Sequence, residues 1–193
     1  MRLRNQINKT LIGILLFSAI ACSDDDQEVL TGQSATVQLY QILSDTDSTY
    51  LVTSESRGTI VLTQVDSIVT MFISLEGFAP NTIHAVHMHH GSCEQPKHHW
   101  NAGSEENFCN RRSLNVPWAK PYAGDVGNVS VGYDGTGSLT IKTNLWSIGS
   151  NDEKDILGLQ VIVHEGYEDF TSECDPNHDH IHENDKLACG TIL

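Results

Sequence analysis

The stretch VTMFISLEGFAPNTIHAVHMHHGSC, residues 69–93, sets the fold class of this chain. Its opening residues largely alternate apolar and polar side chains, as a β-strand with one buried face does. Its second half places four histidines within seven positions: His84, His87, His89 and His90. Side chains two residues apart on a strand lie on the same face, so His87 and His89 point the same way, about 7 Å apart along the strand. Two imidazoles on one face are half of a transition-metal site.

The rest of the chain continues as a series of short strands. Eight runs have strand character: 35–43, 58–65, 67–77, 82–90, 128–133, 136–143, 157–165 and 187–193. Asp134-Gly135 between two of them is typical of a hairpin turn, and no helical periodicity of useful length is present. Eight strands at this spacing predict an all-β sandwich or flattened barrel. Two long segments, 91–127 and 166–186, interrupt the strands and are expected to carry function.

The N-terminus has the features of an export signal. Three basic residues (Arg2, Arg4 and Lys9) precede an apolar run at 11–21 that is too short to cross a bilayer. The run ends in AIAC, which resembles the lipobox of bacterial lipoproteins and makes Cys22 the lipidated N-terminus. The Ser-Asp-Asp-Asp that follows is similar to the acidic export signals of bacterial surface lipoproteins. The alternative is an ordinary secretory peptide followed by a solvated acidic linker.

This interpretation divides the chain into three parts. Residues 1–21 form a lipoprotein signal peptide, residues 22–34 an acidic tether and residues 35–193 the folded domain, which is expected at the bacterial outer membrane. Removal of residues 1–21 takes the formal charge from −14 to −17, because three basic residues and no acidic ones are lost. That charge argues against a nucleic-acid partner and against membrane contact other than through the lipid anchor.

The cysteines fit an oxidising compartment. There are five, and lipidation of Cys22 leaves four that allow three pairings. Export makes disulfides the default expectation for Cys93, Cys109, Cys174 and Cys189.

Two more histidines complete a candidate metal site. His164 ends an apolar strand, and His99 lies in KHHWNAG within the first long segment. With His87 and His89 they make four imidazoles, a donor set that suits copper or zinc. The alternative is a set of solvated loop histidines together with one core histidine.

At this point the sequence resembles the Cu/Zn superoxide dismutase family. Five motifs carry the resemblance in order: GFAPNTIHAVHMHHGSC at 77–93, HWN at 99–101, GDVGNV at 124–129, VIVHE at 161–165 and KLACGTI at 186–192. The similarity covers about residues 35–193 and implies an eight-stranded antiparallel Greek-key barrel with two long functional loops.

The resemblance also implies roles for single residues. The copper ligands would be His87, His89, His99 and His164. His84 matches a histidine that braces the barrel end without binding metal, and Glu168 matches a carboxylate that links the two metal sites and would orient a copper ligand. Cys93 and Cys189 match the intrasubunit disulfide of the family. Cys109 and Cys174 are left as a second bridge, the alternative for Cys109 being a free thiol or a metal ligand.

The zinc site departs from the family pattern. His99 and Asp125 match zinc ligands, but residues 100–124 contain no histidine and Tyr122 stands where one zinc histidine is expected. Two nitrogen donors are therefore missing, and the pattern resembles the copper-only branch of the family. The second long loop carries His178, His180 and His182, which form either an acidic solvated loop or a metal-capture tract that supplies surrogate zinc ligands.

Two changes touch the expected activity, the copper-dependent dismutation of superoxide to dioxygen and hydrogen peroxide. Lys186 replaces an arginine that guides superoxide, which keeps the charge and loses the planar fork, and His90 replaces a glutamate. His99 and Lys186 are the expected catalytic residues. The alternative is a copper-buffering surface lipoprotein that uses the same ligands, which the acidic composition and Lys186 favour. A relative without metal is disfavoured, because all four copper histidines are present; the oligomeric state is left open.

Overall fold

The computed structural model of the chain describes residues 32–46, 49–103, 122–168 and 185–193. Six residues with predicted roles lie outside these ranges: Cys22, Cys109, Cys174, His178, His180 and His182. Within the described segments, no helix is long and apolar enough to cross a membrane.

The described residues form nine strands. In chain order they are β1 (Gln33–Thr46), β2 (Thr49–Val65), β3 (Ile68–Leu75), β4 (Ile83–Gly91), β5 (Pro96–His99), β6 (Asp125–Ser130), β7 (Gly137–Thr143), β8 (Gln160–His164) and β9 (Lys186–Thr191). Every pairing between them is antiparallel. The predicted all-β class is confirmed, and each of the eight predicted runs overlaps a strand.

The strands form one curled sheet of order β5-β4-β8-β9-β1-β2-β3-β7. β6 pairs with β4 on the side opposite β8, since Val86 of β4 faces both Gly127 of β6 and Val163 of β8. A bridge between Val131 and Gly137 then joins the end of β6 to the start of β7. This contact brings the two ends of the sheet together. The connections from β3 to β4 and from β7 to β8 cross between non-adjacent strands, as in a Greek-key barrel.

The alternation in the opening stretch decides which side chains fill the barrel. Val69, Met71, Ile73 and Leu75 of β3 are all at most 1% exposed and belong to the main hydrophobic core. Each fully buried side chain of this kind stabilises the fold by roughly 1.5–3 kcal/mol. Burial of this face therefore fixes the register of β3 between β2 and β7, because a slip of one residue would expose it.

The hairpin predicted at Asp134-Gly135 is present. Asp134 Oδ1 accepts a hydrogen bond from the backbone N–H of Thr136 at 3.1 Å, and Gly135 has a φ of +77°. A Cβ at Gly135 would lie 2.8 Å from the carbonyl oxygen of Phe78. Glycine is required here for both reasons.

Two features of the sheet differ from the sequence prediction. β2 begins at Thr49, nine residues before the predicted start, because β1 and β2 continue as a hairpin extension (residues 42–46 and 49–57) beyond the main sheet. Several side chains of residues 49–57 are half exposed on both faces of the hairpin. Because neither face is fully buried, the sequence of this arm lacks the apolar–polar alternation that predicts a strand. β5 is a ninth strand of four residues, PKHH, and contains no apolar alternation.

Candidate metal centre

β4 carries two of the candidate ligands on the outer side of the barrel. Val86 and Met88 of this strand pack in the main core. Because successive side chains on a strand point to opposite faces, His87 and His89 face away from the barrel interior. They are nevertheless buried, with 0% and 3% exposure. The outer face of β4 is therefore covered by other parts of the chain, and the polar groups there need specific partners.

The other two histidines reach this face through strand pairing. His99 of β5 lies directly opposite His89 in the register of the two strands. His164 is the last residue of β8, which pairs with β4 on its other side. The ligand nitrogens of the four imidazoles all lie within 4.8 Å of one another. The structure therefore brings together the four residues that the resemblance implies as copper ligands.

The protonation of His164 suits metal binding. Burial holds the pKa of His164 well below its ordinary value, and the neighbouring imidazoles of His87, His89 and His99 lower the pKa further. His164 is consequently neutral at pH 7. A neutral imidazole is the form that binds metals, because its unprotonated nitrogen carries the lone pair.

A backbone carbonyl orients His89. Its Nδ1 lies 2.7 Å from the carbonyl oxygen of Lys97. Since a carbonyl only accepts hydrogen bonds, Nδ1 carries the proton and Nε2 carries the lone pair. Partners of this kind fix the ring and the tautomer of a metal-ligating histidine.

An aspartate orients His99. The Nδ1 of His99 donates to Asp125 Oδ1 at 2.8 Å, and the other oxygen of Asp125 accepts from the backbone N–H of Tyr122 at 2.8 Å. The ring of Tyr122 lies 6.1 Å from that of His99. Asp125, implied as a remnant of a zinc site, thus contacts the second nitrogen of His99 directly.

Glu168 stands beside His87. Its Oε2 is 3.0 Å from His87 Nε2, and Glu168 is 8% exposed. Asn128 of β6 holds the backbone of Glu168 at both ends, with its Oδ1 accepting from the N–H at 2.7 Å and its Nδ2 donating to the carbonyl at 3.0 Å. A carboxylate at Nε2 favours the tautomer in which Nδ1 of His87 carries the lone pair.

His84 is buried without joining the four imidazoles. Its Nδ1 donates to the backbone carbonyl of His164 at 2.7 Å, and its Nε2 lies 2.7 Å from the hydroxyl of Thr82. His84 therefore ties β4 to the end of β8 and holds the backbone of a candidate ligand. By contrast, His90 and His98 are exposed.

A pocket of about 400 Å³ lies beside the imidazoles. The residues that line it are His89, Pro96, Lys97, His98, His99, His164 and Lys186. Two lysines in this wall make the pocket locally cationic in a chain of net charge −14. Lys186 was predicted at the site, whereas Lys97 was missed; its signal in the sequence is its place two residues before His99.

A disulfide closes the region next to the pocket. Cys93 and Cys189, the pair implied by the resemblance, are bonded in the structure. They lie 9% and 0% exposed in a small apolar cluster with Ile42 and Ile162. The bond links the turn between β4 and β5 to the middle of β9, three residues after Lys186.

An antiparallel barrel with four converging imidazoles on its outer face defines a metal-binding β-barrel protein. More specifically, the profile of the copper/zinc superoxide dismutase family matches residues 56–192. The chain belongs to that family.

Solved structures show the same fold at low sequence identity. A superoxide-dismutase-like protein from Bacillus subtilis is 23% identical with a TM-score of 0.59, over 82% of this chain and 97% of that one. The Cu/Zn superoxide dismutase from Brucella abortus is 18% identical with a TM-score of 0.55, over 83% and 100%. The clock protein EA4 is 21% identical with a TM-score of 0.56, over 82% and 92%. No curated protein sequence matches the chain.

Proposed function

We propose that the protein dismutates superoxide to dioxygen and hydrogen peroxide with bound copper. One observation carries the proposal: four imidazoles, three from buried residues and one from the partly buried His99, place their ligand nitrogens within 4.8 Å of one another beside a pocket that Lys186 also lines. The donor set fits copper, because imidazole nitrogen is a preferred ligand of that metal. Bound copper would supply the one-electron redox chemistry that dismutation needs and that zinc lacks.

The residues around the site have separate tasks. Glu168 and the carbonyl of Lys97 hold His87 and His89 in position. Lys186 attracts the superoxide anion into the pocket, since an opposite charge raises the local concentration of a small ion. These tasks are binding and orientation, and none requires a second metal.

Formation of hydrogen peroxide also consumes two protons, and His99 is the group that we propose as a proton carrier. Its Nδ1 proton is held by Asp125 Oδ1, so Nε2 is the nitrogen that would bind copper, and it would take up a proton at the pocket only when it is not bound to the metal. The carboxylate of Asp125 stabilises the doubly protonated ring through the same hydrogen bond.

We further propose that the site works with copper alone. The direct contact between Asp125 and His99 supports this, because it supplies His99 Nδ1 with a partner other than zinc. Tyr122, at the position of a missing zinc histidine, supports it too, since its phenol is not among the usual ligands of zinc. Asp125 then acts through His99 and serves as an orienting group.

Metal analysis joined to a superoxide decay assay tests the proposal. After reconstitution with both metals, we expect about one copper and little zinc per chain, because the four-imidazole site takes one ion. The copper-loaded protein should consume superoxide faster than the same copper held by a chelator. Copper binding without that excess activity would favour the copper-buffering alternative, and a stoichiometric zinc would contradict the copper-only site.

Lys186→Ala should lower the superoxide rate about tenfold at low salt while copper stays bound, because the lysine attracts an anion and is not a ligand. The difference should shrink at high ionic strength, where exposed charges are screened within about 3–8 Å. Lys186→Arg should match or exceed the parent protein, since the guanidinium donates two hydrogen bonds from its fork. Stopped-flow superoxide decay across a salt series measures all three.

Lys142→Ala is the matched control for this series. Lys142 is exposed on β7, so its substitution by alanine removes the same charge at a position away from the pocket. An equal loss of rate in Lys142→Ala and Lys186→Ala would show that only net charge matters and would contradict the role of Lys186.

We also propose that the protein is a lipid-anchored component of the bacterial envelope. The lipobox-like AIAC ending at Cys22 and the disulfide between Cys93 and Cys189 support this, since disulfides persist in oxidising compartments. Mass spectrometry of the mature N-terminus decides the point: a start other than a lipidated Cys22 contradicts the proposal.

A further inference from the structure

The hairpin extension lies beyond the main sheet. β9 pairs with β1 only at Tyr40 and Gln41, and β3 pairs with β2 only from Gly58 onward. Among the described strands, the pairing partners of the extension are therefore its own two arms. A two-stranded ribbon is marginal by itself in water, so its position depends on contacts with other parts of the chain.

Those contacts fasten the extension next to the candidate metal centre. Ile42 is 2% exposed and packs with the disulfide and Ile162. Tyr50 and Val52 cover the same cluster from the other arm. The backbone N–H of Tyr50 donates to the carbonyl of Glu94 at 2.9 Å. The position of Tyr50 is thus fixed by packing and by a backbone hydrogen bond. Neither involves its phenolic hydroxyl group.

The side chain of Tyr50 meets Lys186. The Nζ of Lys186 donates to the Tyr50 hydroxyl at 3.4 Å and lies 5.3 Å from the centre of the Tyr50 ring. An ammonium group over an aromatic face is attracted by the ring quadrupole. Tyr50 therefore contacts the charged end of the lysine in two ways.

This contact bears on the pocket because of where Lys186 stands. Lys186 lines the pocket together with His89 and His164 and is the strand partner of His164 across β8 and β9. A lysine ammonium sits on a flexible four-carbon stem, and it lacks the preorganised planar fork of arginine. A lysine in this position needs an external partner to keep its charge at the pocket.

We propose that Tyr50, on the hairpin extension, is a positioning residue that holds the ammonium group of Lys186 at the pocket and so sets its affinity for small anions. The inference rests on the proposed function, which makes superoxide the physiological anion. It assigns the hairpin extension a role in the site, although the extension contributes no candidate metal ligand.

Azide binding to the copper-loaded protein tests the proposal, with the azide dissociation constant read from the visible absorption of the metal site. Tyr50→Leu should weaken azide binding about two- to fivefold, the size of a cation–π contact near a surface. Tyr50→Phe keeps the ring and should restore most of the affinity. Tyr133→Leu is the matched control, because Tyr133 is 86% exposed in the turn between β6 and β7.

A double-mutant cycle separates positioning from a general structural effect. In a Lys186→Gln background, Tyr50→Leu should have no further effect on azide binding, because no ammonium group remains to be held. An equal loss in both backgrounds would overturn the proposal.

The same cycle, measured on the free energy of unfolding of the metal-free protein, should show a non-zero coupling between Tyr50 and Lys186. This readout distinguishes the two proposals, because it needs neither copper nor turnover. Coupling without superoxide consumption would reject the proposed function and support the contact. Superoxide consumption without coupling would reject the positioning role.

Discussion

His164→Ala is expected to abolish copper binding and superoxide consumption together. His164 is 2% exposed, and one of its nitrogens lies within 4.8 Å of the other three ligand atoms. Alanine removes a donor that the remaining three imidazoles cannot replace by moving, because they are held on paired strands. His84 donates a hydrogen bond to the backbone carbonyl of residue 164. Because this bond does not involve the side chain of residue 164, the contact between β4 and β8 survives the substitution. The loss should therefore reflect coordination and leave the fold in place.

Copper per chain by elemental analysis and superoxide decay are the two measurements. His90→Ala is the matched control, because His90 neighbours His89 on β4 and is exposed; it should keep both copper and activity. A His164→Ala protein that retains one copper per chain and the parent rate would remove His164 from the site.

The sequence predicted the parts of the site that depend on local spacing. Alternation in β3 identified a strand with one buried face, and the interval between His87 and His89 placed both on one face of β4. Convergence of His99 and His164 was implied by the resemblance to a family. The register of β4 with β5 and β8 explains it physically, since strand pairing brings residues distant in the chain side by side.

Contacts made across the chain could not be predicted in the same way. Tyr50 and Lys186 are 136 residues apart, and no periodicity relates them. The arm that carries Tyr50 shows no alternation, because several of its side chains are half exposed on both faces. β5 was missed for a similar reason: four residues without an apolar pattern become a strand only by pairing with β4.

The hydrogen bond between His99 and Asp125 is another contact between distant residues that the sequence did not predict. The sequence showed that two zinc histidines are missing, and it did not assign a partner to the Nδ1 of His99. The structure supplies Asp125, held by the backbone N–H of Tyr122. Tyr122, which stands in place of a zinc histidine, thus contributes through its backbone N–H. The identity of its side chain does not reveal this contribution.

Removal of the disulfide by the double substitution Cys93→Ala and Cys189→Ala is expected to lower the free energy of unfolding of the metal-free protein by about 4 kcal/mol. The bond joins residues 96 positions apart, and a closed loop of that length restricts the unfolded chain strongly. Cys189 is also fully buried against Ile42 and Ile162, so the smaller side chains leave part of this cluster unfilled.

Urea denaturation of the oxidised parent and of the double variant measures this loss, with the midpoint and the slope compared. The parent treated with a reductant should shift in the same direction, which separates loss of the bond from loss of the sulfur atoms. The effect should extend to the site, because the bond links the turn before β5 to β9, and Lys97 of β5 and Lys186 of β9 line the pocket. We therefore expect the double variant to bind azide more weakly as well. A change in unfolding free energy below about 1 kcal/mol would show that β4 and β9 are held by strand pairing through β8 alone.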